Sequence, residues 1–325
     1  MNVLVTGASG FIGTNLVRRL LDDKRDVKAM IRKTSDTKYL DKWGVKTCYG
    51  DVLDENSLKE AVKGVDVIYH LVTIRDEPNV PYAEYHGVNV EGLERLIRVS
   101  MNAGVKKIVN FSSIAAIGFG KMPLPLNEKS PLLPTNNYGR SKGEGEAVAK
   151  KYFEENGFNT MSVRPALVYG PYDLSNMKGL FLAIKDGTYR VIGSGKNKMC
   201  FVYVDDIVSG AILAEKKGKG GEKYILSDNR SYSQTEAAQT VADAMGVKLP
   251  KMRIPVAVAY SAGIGFEIVS KIFGFEPPLS RSRLSNILMN LEYDISKAKN
   301  ELGYNPKVDL KEGIGRTVKW YRGQG

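Results

Sequence analysis

The 325-residue chain holds only two cysteines, Cys48 and Cys200, too few and too far apart for a disulfide framework or a four-ligand zinc site. A reducing, cytoplasmic location is the expectation, and no metal is implied. Histidine is as scarce: His70 and His86 read as packed or surface residues rather than catalysts. Long apolar runs are missing too. The longest mostly apolar stretch, Ile254 to Phe266, falls short of the roughly 20 residues that cross a bilayer. It reads as a helix of a ligand-binding part, either buried against its own domain or in peripheral contact with a membrane. The chain enters an apolar strand at its second residue, with no basic segment and apolar core of the signal-peptide kind ahead of it. Repeats and low-complexity tracts are absent.

Charge is unbalanced but dispersed. Lys and Arg number 47 against 36 Asp and Glu, a net +11, and apart from Lys216-Lys217-Gly218-Lys219, which reads as a solvated loop, the cations are scattered. No specific nucleic-acid partner is expected; the expected partner is a small-molecule substrate. With 43% hydrophobic residues, the chain has the means to bury a large core.

What is present begins at residue 3. Val3-Leu4-Val5-Thr6-Gly7-Ala8-Ser9-Gly10-Phe11-Ile12-Gly13 joins an apolar strand to a helix through three glycines spaced three apart. The first permits a tight turn, the second lets backbone N–H groups approach a pyrophosphate, and the third lets helix and strand pack closely. Gly7, Ser9, Gly10, Phe11, Ile12 and Gly13 are therefore candidate dinucleotide-binding residues at a helix N-terminus. Leu16, Val17, Leu20 and Leu21 give the helix one apolar face.

Strands are expected near 2–6, 26–31, 45–49, 65–70, 106–111 and 159–164, with Gly64, Gly104 and Gly157 ending helices. Repeated β-α units of this length predict an α/β fold, a doubly wound parallel sheet of the Rossmann type. After Tyr169-Gly170-Pro171-Tyr172 the rhythm loosens. The expected division is a dinucleotide-binding domain over 1–169 and a smaller mixed α/β substrate domain over 170–325, with parts near 200–228 returning to the first.

Tyr138-Gly139-Arg140-Ser141-Lys142 sets a phenol and an ammonium one helical turn apart. A neighbouring cation lowers a tyrosine pKa from about 10 toward neutrality, where general acid/base chemistry works. A second copy stands at Tyr293-Asp294-Ile295-Ser296-Lys297. Position separates the two. Tyr138 follows Phe111-Ser112-Ser113-Ile114, an apolar strand ending in two hydroxyls, and open sheets bind ligands beyond such strand ends. The Tyr293 copy reads as a surface turn into the last helix.

With these motifs the chain resembles the extended short-chain dehydrogenase/reductase family, also called the NAD-dependent epimerase/dehydratase family. Further matching segments are Gly50-Asp51-Val52, His70-Leu71-Val72, Asn89-Val90-Glu91-Gly92, Arg164-Pro165 through Tyr169-Gly170-Pro171, and Phe201-Val202-Tyr203-Val204-Asp205-Asp206. The resemblance implies that Tyr138 is the proton donor/acceptor, that Lys142 tunes it and holds the nicotinamide ribose, and that Ser113, rather than its neighbour Ser112, polarises the substrate oxygen. It also implies that Asp51 and Val52 flank the adenine, that Leu71, Val72 and Thr73 line the cofactor's middle, and that Pro165 borders the cofactor. Asn89 is expected to brace the sheet. A homodimer through helices near 84–102 and 136–155 is a further implication.

NAD-preferring relatives carry an acidic residue at the end of the second strand, where this chain has Ile31, Arg32 and Lys33. A guanidinium suits the extra phosphate of NADP, so NADP is the expected cofactor and NAD the alternative. Nucleotide-sugar enzymes of the family place an arginine just before the segment matching Phe201–Asp206, where this chain reads Lys198-Met199-Cys200. A second phosphate-binding arginine is replaced by Pro277-Pro278-Leu279-Ser280-Arg281-Ser282-Arg283. The pattern resembles the hydroxysteroid-dehydrogenase-like and dihydroflavonol-reductase-like branches and implies interconversion of a secondary alcohol and a ketone. The alternatives are a nucleotide-sugar epimerase or dehydratase and, from a different class, a non-catalytic dinucleotide-binding sensor or assembly subunit.

Overall fold

A computed structural model describes residues 1–77, 80–118, 122–174, 177–250, 252–273, 279 and 281–323, without the side chains of 271, 272, 282, 283 and 286. The first half alternates strand and helix: β1 (Asn2–Thr6), α1 (Phe11–Asp22), β2 (Asp26–Ile31), α2 (Lys38–Lys42), β3 (Lys46–Tyr49), α3 (Glu55–Ala61), β4 (Val67–His70), α4 (Tyr82–His86), α5 (Gly92–Asn102), β5 (Lys107–Phe111), α6 (Asn137–Asn156) and β6 (Thr160–Pro165). There follow β7 (Leu167–Tyr169), α7 (Lys178–Lys185), β8 (Val191–Ile192), β9 (Lys198–Met199), β10 (Phe201–Tyr203), α8 (Val204–Lys217), β11 (Lys223–Leu226), β12 (Tyr232–Ser233), α9 (Gln234–Met245), β13 (Arg253–Ile254), α10 (Val256–Phe273), α11 (Arg281–Leu288) and α12 (Leu310–Arg322).

Seven strands make one parallel sheet in the order β11-β6-β5-β4-β1-β2-β3. Its strands are apolar runs because helices cover both faces. On one face Leu16, Val17 and Leu20 of α1 pack with Ile207, Val208 and Ala211 of α8; on the other Leu58 of α3 packs with Leu93, Leu96 and Ile97 of α5. The strand order reverses direction at β1, between β2 and β4, and at such a switch point a crevice opens beyond the carboxyl ends of the strands. Gly64, Gly104 and Gly157 turn the chain at positive φ of 69°, 75° and 68°, and Gly157 caps the C-terminus of α6.

A third core joins α7, α9 and α12 around Phe181, Ile184, Ala238, Val241 and Ile314. Tyr172 ties this part to the sheet side: its ring lies 4.6 Å from that of Tyr39 and 5.2 Å from that of Trp320. One of the two alternatives for the apolar segment after residue 254 fails here. The apolar segment forms α10, and it is not buried against its own domain: Val258, Ile264, Ile268 and Phe273 are all exposed. Among the described side chains of the helix, the covered side is the one carrying Ala259, Tyr260, Gly263, Glu267 and Ser270.

Candidate active site

The β1–α1 junction is closed to side chains. Gly7 takes φ +67°, and a Cβ there would lie 2.9 Å from the carbonyl carbon of Leu71; a Cβ on Gly13 would lie 2.2 Å from the Gly7 oxygen. Gly10 N–H donates to the Gly7 carbonyl at 3.1 Å. The first turn of α1 has neither an acidic residue nor a side-chain cap, so its N–H groups are left for an anion. This donor set fits a dinucleotide pyrophosphate.

The other sequence-derived cofactor residues border the same carboxyl edge of the sheet. Arg32 and Lys33 are exposed directly after β2. Asp51 follows β3 and turns its carboxylate on the Leu53 N–H at 2.9 Å. Val52 is 2% exposed and packs against Gly92, so its backbone rather than its side chain is what a ligand can meet. Leu71, Val72 and Thr73 are half-buried after β4, and Pro165 ends β6.

Tyr138 reaches its position through a cap and a glycine. Asn136 caps α6 by accepting from the Gly139 N–H at 2.8 Å, and its amide donates to Asp76 at 2.9 Å. A Cβ on Gly139 would stand 2.3 Å from the Ala115 carbonyl oxygen, so only glycine lets the first turn of α6 press on the segment after β5. That contact sets Tyr138 beside Ser113, whose hydroxyl hydrogen-bonds the phenol and accepts from the Ala115 N–H at 3.1 Å. Ser112 faces the other way, donating to Glu146 at 2.5 Å.

Lys142 lies one turn further on, 6% exposed. Its ammonium donates to the Phe111 carbonyl at 2.8 Å and sits 5.8 Å from the centre of the Tyr138 ring. Burial pulls its pKa down to about 8, opposed by the charge of Glu146. The expected lowering of the Tyr138 pKa by this lysine is not found. Burial pushes the phenol up to about 12, the Ser113 hydrogen bond acts against that, and Asp76 adds to it. The physical reason is placement: the ammonium faces the ring and is bound to a carbonyl, so desolvation of the phenolate prevails.

Behind the site lies a buried ionic group that sequence reading missed. Arg164, fully buried on β6, makes a bidentate pair with Glu146 of α6 at 2.7 and 2.5 Å, and Glu146 also takes the Ser112 hydrogen bond. Arg164 stands in the Arg-Pro segment that carried the resemblance, which was the one available signal. Asn89 braces the loop after β4, accepting from Thr73 and the Ile74 N–H at 3.0 Å, and donates to Ser141 on α6 at 2.9 Å. His70 is buried beside Thr6 at 2.8 Å, its pKa pulled down to about 3 by burial; His86 is on the surface near Glu91.

The second Tyr/Lys copy is not a surface turn. Tyr293 bridges to Leu126, and its buried hydroxyl has no hydrogen-bond partner among the described residues. Lys297 is bound elsewhere, donating to the Lys223 carbonyl at 3.0 Å and facing the Tyr224 ring at 4.8 Å. It is not a partner for the phenol. On the substrate side, Met199 is half-buried in β9, Lys198 faces Glu292 at 3.9 Å, and Arg281 pairs with Glu267 at 2.8 Å. The side chain of Arg283, and Pro277, Pro278 and Ser280, lie outside the described residues.

Comparison with known proteins agrees with this architecture. The model of the NAD dependent epimerase/dehydratase family matches residues 3–227, and the chain belongs to that family. The N-acetyl-alpha-D-glucosaminyl-diphospho-ditrans,octacis-undecaprenol 4-epimerase of Escherichia coli O157:H7 is 28% identical over 322 residues, 98% of this chain and 95% of the relative. The 3-beta-hydroxysteroid dehydrogenase of Mycolicibacterium neoaurum is 29% identical over 336 residues, 98% of this chain and 91% of the relative. Among solved structures, the dTDP-glucose 4,6-dehydratase DesIV of Streptomyces venezuelae, with NAD and TYD bound, superposes with a TM-score of 0.80 at 26% identity, over 99% of this chain and 97% of that one. The family binds NAD(H), and its members named here are dehydrogenases, epimerases and dehydratases.

Proposed function

We propose that the protein is an NADP-dependent oxidoreductase that interconverts an apolar secondary alcohol and its ketone. The observation that carries the reaction class lies at the positions of the diphosphate clamp: Met199 fills one, while Lys198 and Arg281 each face a carboxylate. A buried diphosphate without cations is strongly disfavoured. One of the named relatives is a steroid dehydrogenase, in keeping with an apolar substrate.

When bound, the dinucleotide supplies the hydride acceptor or donor. Its pyrophosphate would rest on the N–H groups of Phe11, Ile12 and Gly13 at the start of α1, and Lys142 would hold the ribose next to the nicotinamide. Arg32, exposed after β2, would take the extra phosphate of NADP. Tyr138, with its pKa near 12, keeps its proton at neutral pH and is in the state needed to protonate an alkoxide as it forms. Ser113 shares the phenol hydrogen bond and would orient the same oxygen. The cation of Lys142 stabilises negative charge as the phenol gives up its proton.

The test is to supply free NADP or NAD with hydrophobic secondary alcohols and, separately, UDP-sugars. The reading expects net absorbance change at about 340 nm, where reduced nicotinamide absorbs, with the alcohols. Inversion of a UDP-sugar centre with no net absorbance change, on a retained dinucleotide, would establish the epimerase alternative instead.

A further inference from the structure

Helix α10 is inside out. Viewed down its axis at about 100° per residue, the covered side carries Ala259, Gly263, Glu267 and Ser270, which are small or polar, and the aromatic Tyr260, while Val258, Ile264, Ile268, Val269 and Phe273 point to solvent. Val258 and Ile268 are each 56% exposed and Phe273 is 74% exposed. A helix packed on its own core has the opposite pattern. Eighteen residues span about 27 Å at about 1.5 Å each, so the exposed apolar stripe is long, continuous and without a partner among the described residues of this chain.

Charge identifies the occupant. Lys248 and Arg253 are exposed in the segment ahead of the helix, while the helix's own acid, Glu267, is neutralised by Arg281 at 2.8 Å. The chain as a whole carries a net +11. No helix of the described residues is long and apolar enough to cross a membrane. An apolar helical face with exposed cations ahead of it fits the plane of an anionic phospholipid bilayer, side chains in the acyl boundary and cations at the headgroups. We propose that α10 docks the protein onto an anionic bilayer surface, lying in its plane. A second copy of the chain would bring together two molecules of net charge +11 each and is disfavoured by that repulsion.

The test uses the full chain in co-sedimentation with phosphatidylglycerol-containing vesicles and with pure phosphatidylcholine vesicles. Partition onto the anionic vesicles is expected, weakened by added salt. Val258→Glu/Ile268→Glu, at exposed positions, should lower that partition by about tenfold or more without moving the thermal midpoint. Lys248→Glu/Arg253→Glu, outside the helix, should lower partition onto anionic vesicles at low salt and serves if the first pair fails to fold. The proposal is overturned if the wild-type chain sediments with neither vesicle, if both variants partition as the wild type does, or if Val258→Glu/Ile268→Glu splits a dimer while leaving vesicle partition unchanged. Neither cofactor nor substrate enters the assay, so its outcome is independent of the catalytic reading.

Discussion

Replacing Lys142 with methionine should make the protein more stable at neutral pH and remove part of its pH dependence. The ammonium is buried on α6, and its pKa falls from the ordinary 10.5 to about 8. At about 1.36 kcal/mol per pKa unit that gap amounts to about 3 kcal/mol. Below pH 8 both folded and unfolded chains hold the proton, and the folded chain carries the full desolvation penalty. Between about 8 and 10.5 the unfolded chain still holds it while the folded chain has released it, so the wild-type protein gains stability as pH rises through that window. Methionine keeps the length and removes the charge. It also forfeits the hydrogen bond to the Phe111 carbonyl, which costs about 1–2 kcal/mol. The variant should therefore be about 1–2 kcal/mol more stable at pH 7 and about 1–2 kcal/mol less stable near pH 10.5, a swing of about 3 kcal/mol. Urea denaturation of both proteins at intervals from pH 7 to 10.5 measures it. Parallel stability curves, or a variant weakened at pH 7, would refute the assignment of a buried, depressed lysine.

Arg32→Ala should weaken NADP binding about tenfold or more and leave NAD nearly unchanged, since a bidentate phosphate contact is worth roughly 1.5–3 kcal/mol; calorimetry on both cofactors decides, and tighter NAD binding by the unmutated protein would sink the preference. Ser113→Ala should lower turnover by about a hundredfold, the usual effect of deleting one donor to a developing oxyanion, whereas Ser112→Ala, whose hydroxyl faces Glu146, should retain most activity. Glu146→Gln leaves the buried Arg164 guanidinium uncompensated and should cost about 3–5 kcal/mol in equilibrium unfolding.

Much of the fold is legible because strands covered on both faces must be apolar throughout. Val3-Leu4-Val5 and Ile108-Val109 read as strands without any periodicity to help, and the expected starts at 45, 65 and 106 differ from the observed 46, 67 and 107 by a residue or two. The region of Ser113, Tyr138 and Lys142 was reachable because the Tyr138/Lys142 spacing follows a strand, Phe111-Ser112-Ser113-Ile114, that ends in hydroxyls. What escaped depends on placement in three dimensions. Glu146 and Arg164 stand 18 positions apart and Ser112 is 34 positions from Glu146, separations with no signature in sequence. Spacing put a cation near Tyr138 but could not show that the ammonium points to Phe111 O, nor that burial governs the phenol. For α10, apolar composition leaves open whether the segment is buried or exposed; Ala259 and Gly263 decide it by packing the small side against the body.

Tyr138 is the group proposed to move the proton. Steady-state turnover and dinucleotide affinity measured together on Tyr138→Phe and Tyr293→Phe test this directly. Loss of the Tyr138 hydroxyl should lower turnover by roughly two to four orders of magnitude with cofactor affinity nearly unchanged, and loss of the buried, unpartnered Tyr293 hydroxyl should leave turnover near the wild-type value. Full activity in Tyr138→Phe, with activity abolished in Tyr293→Phe, would contradict the account.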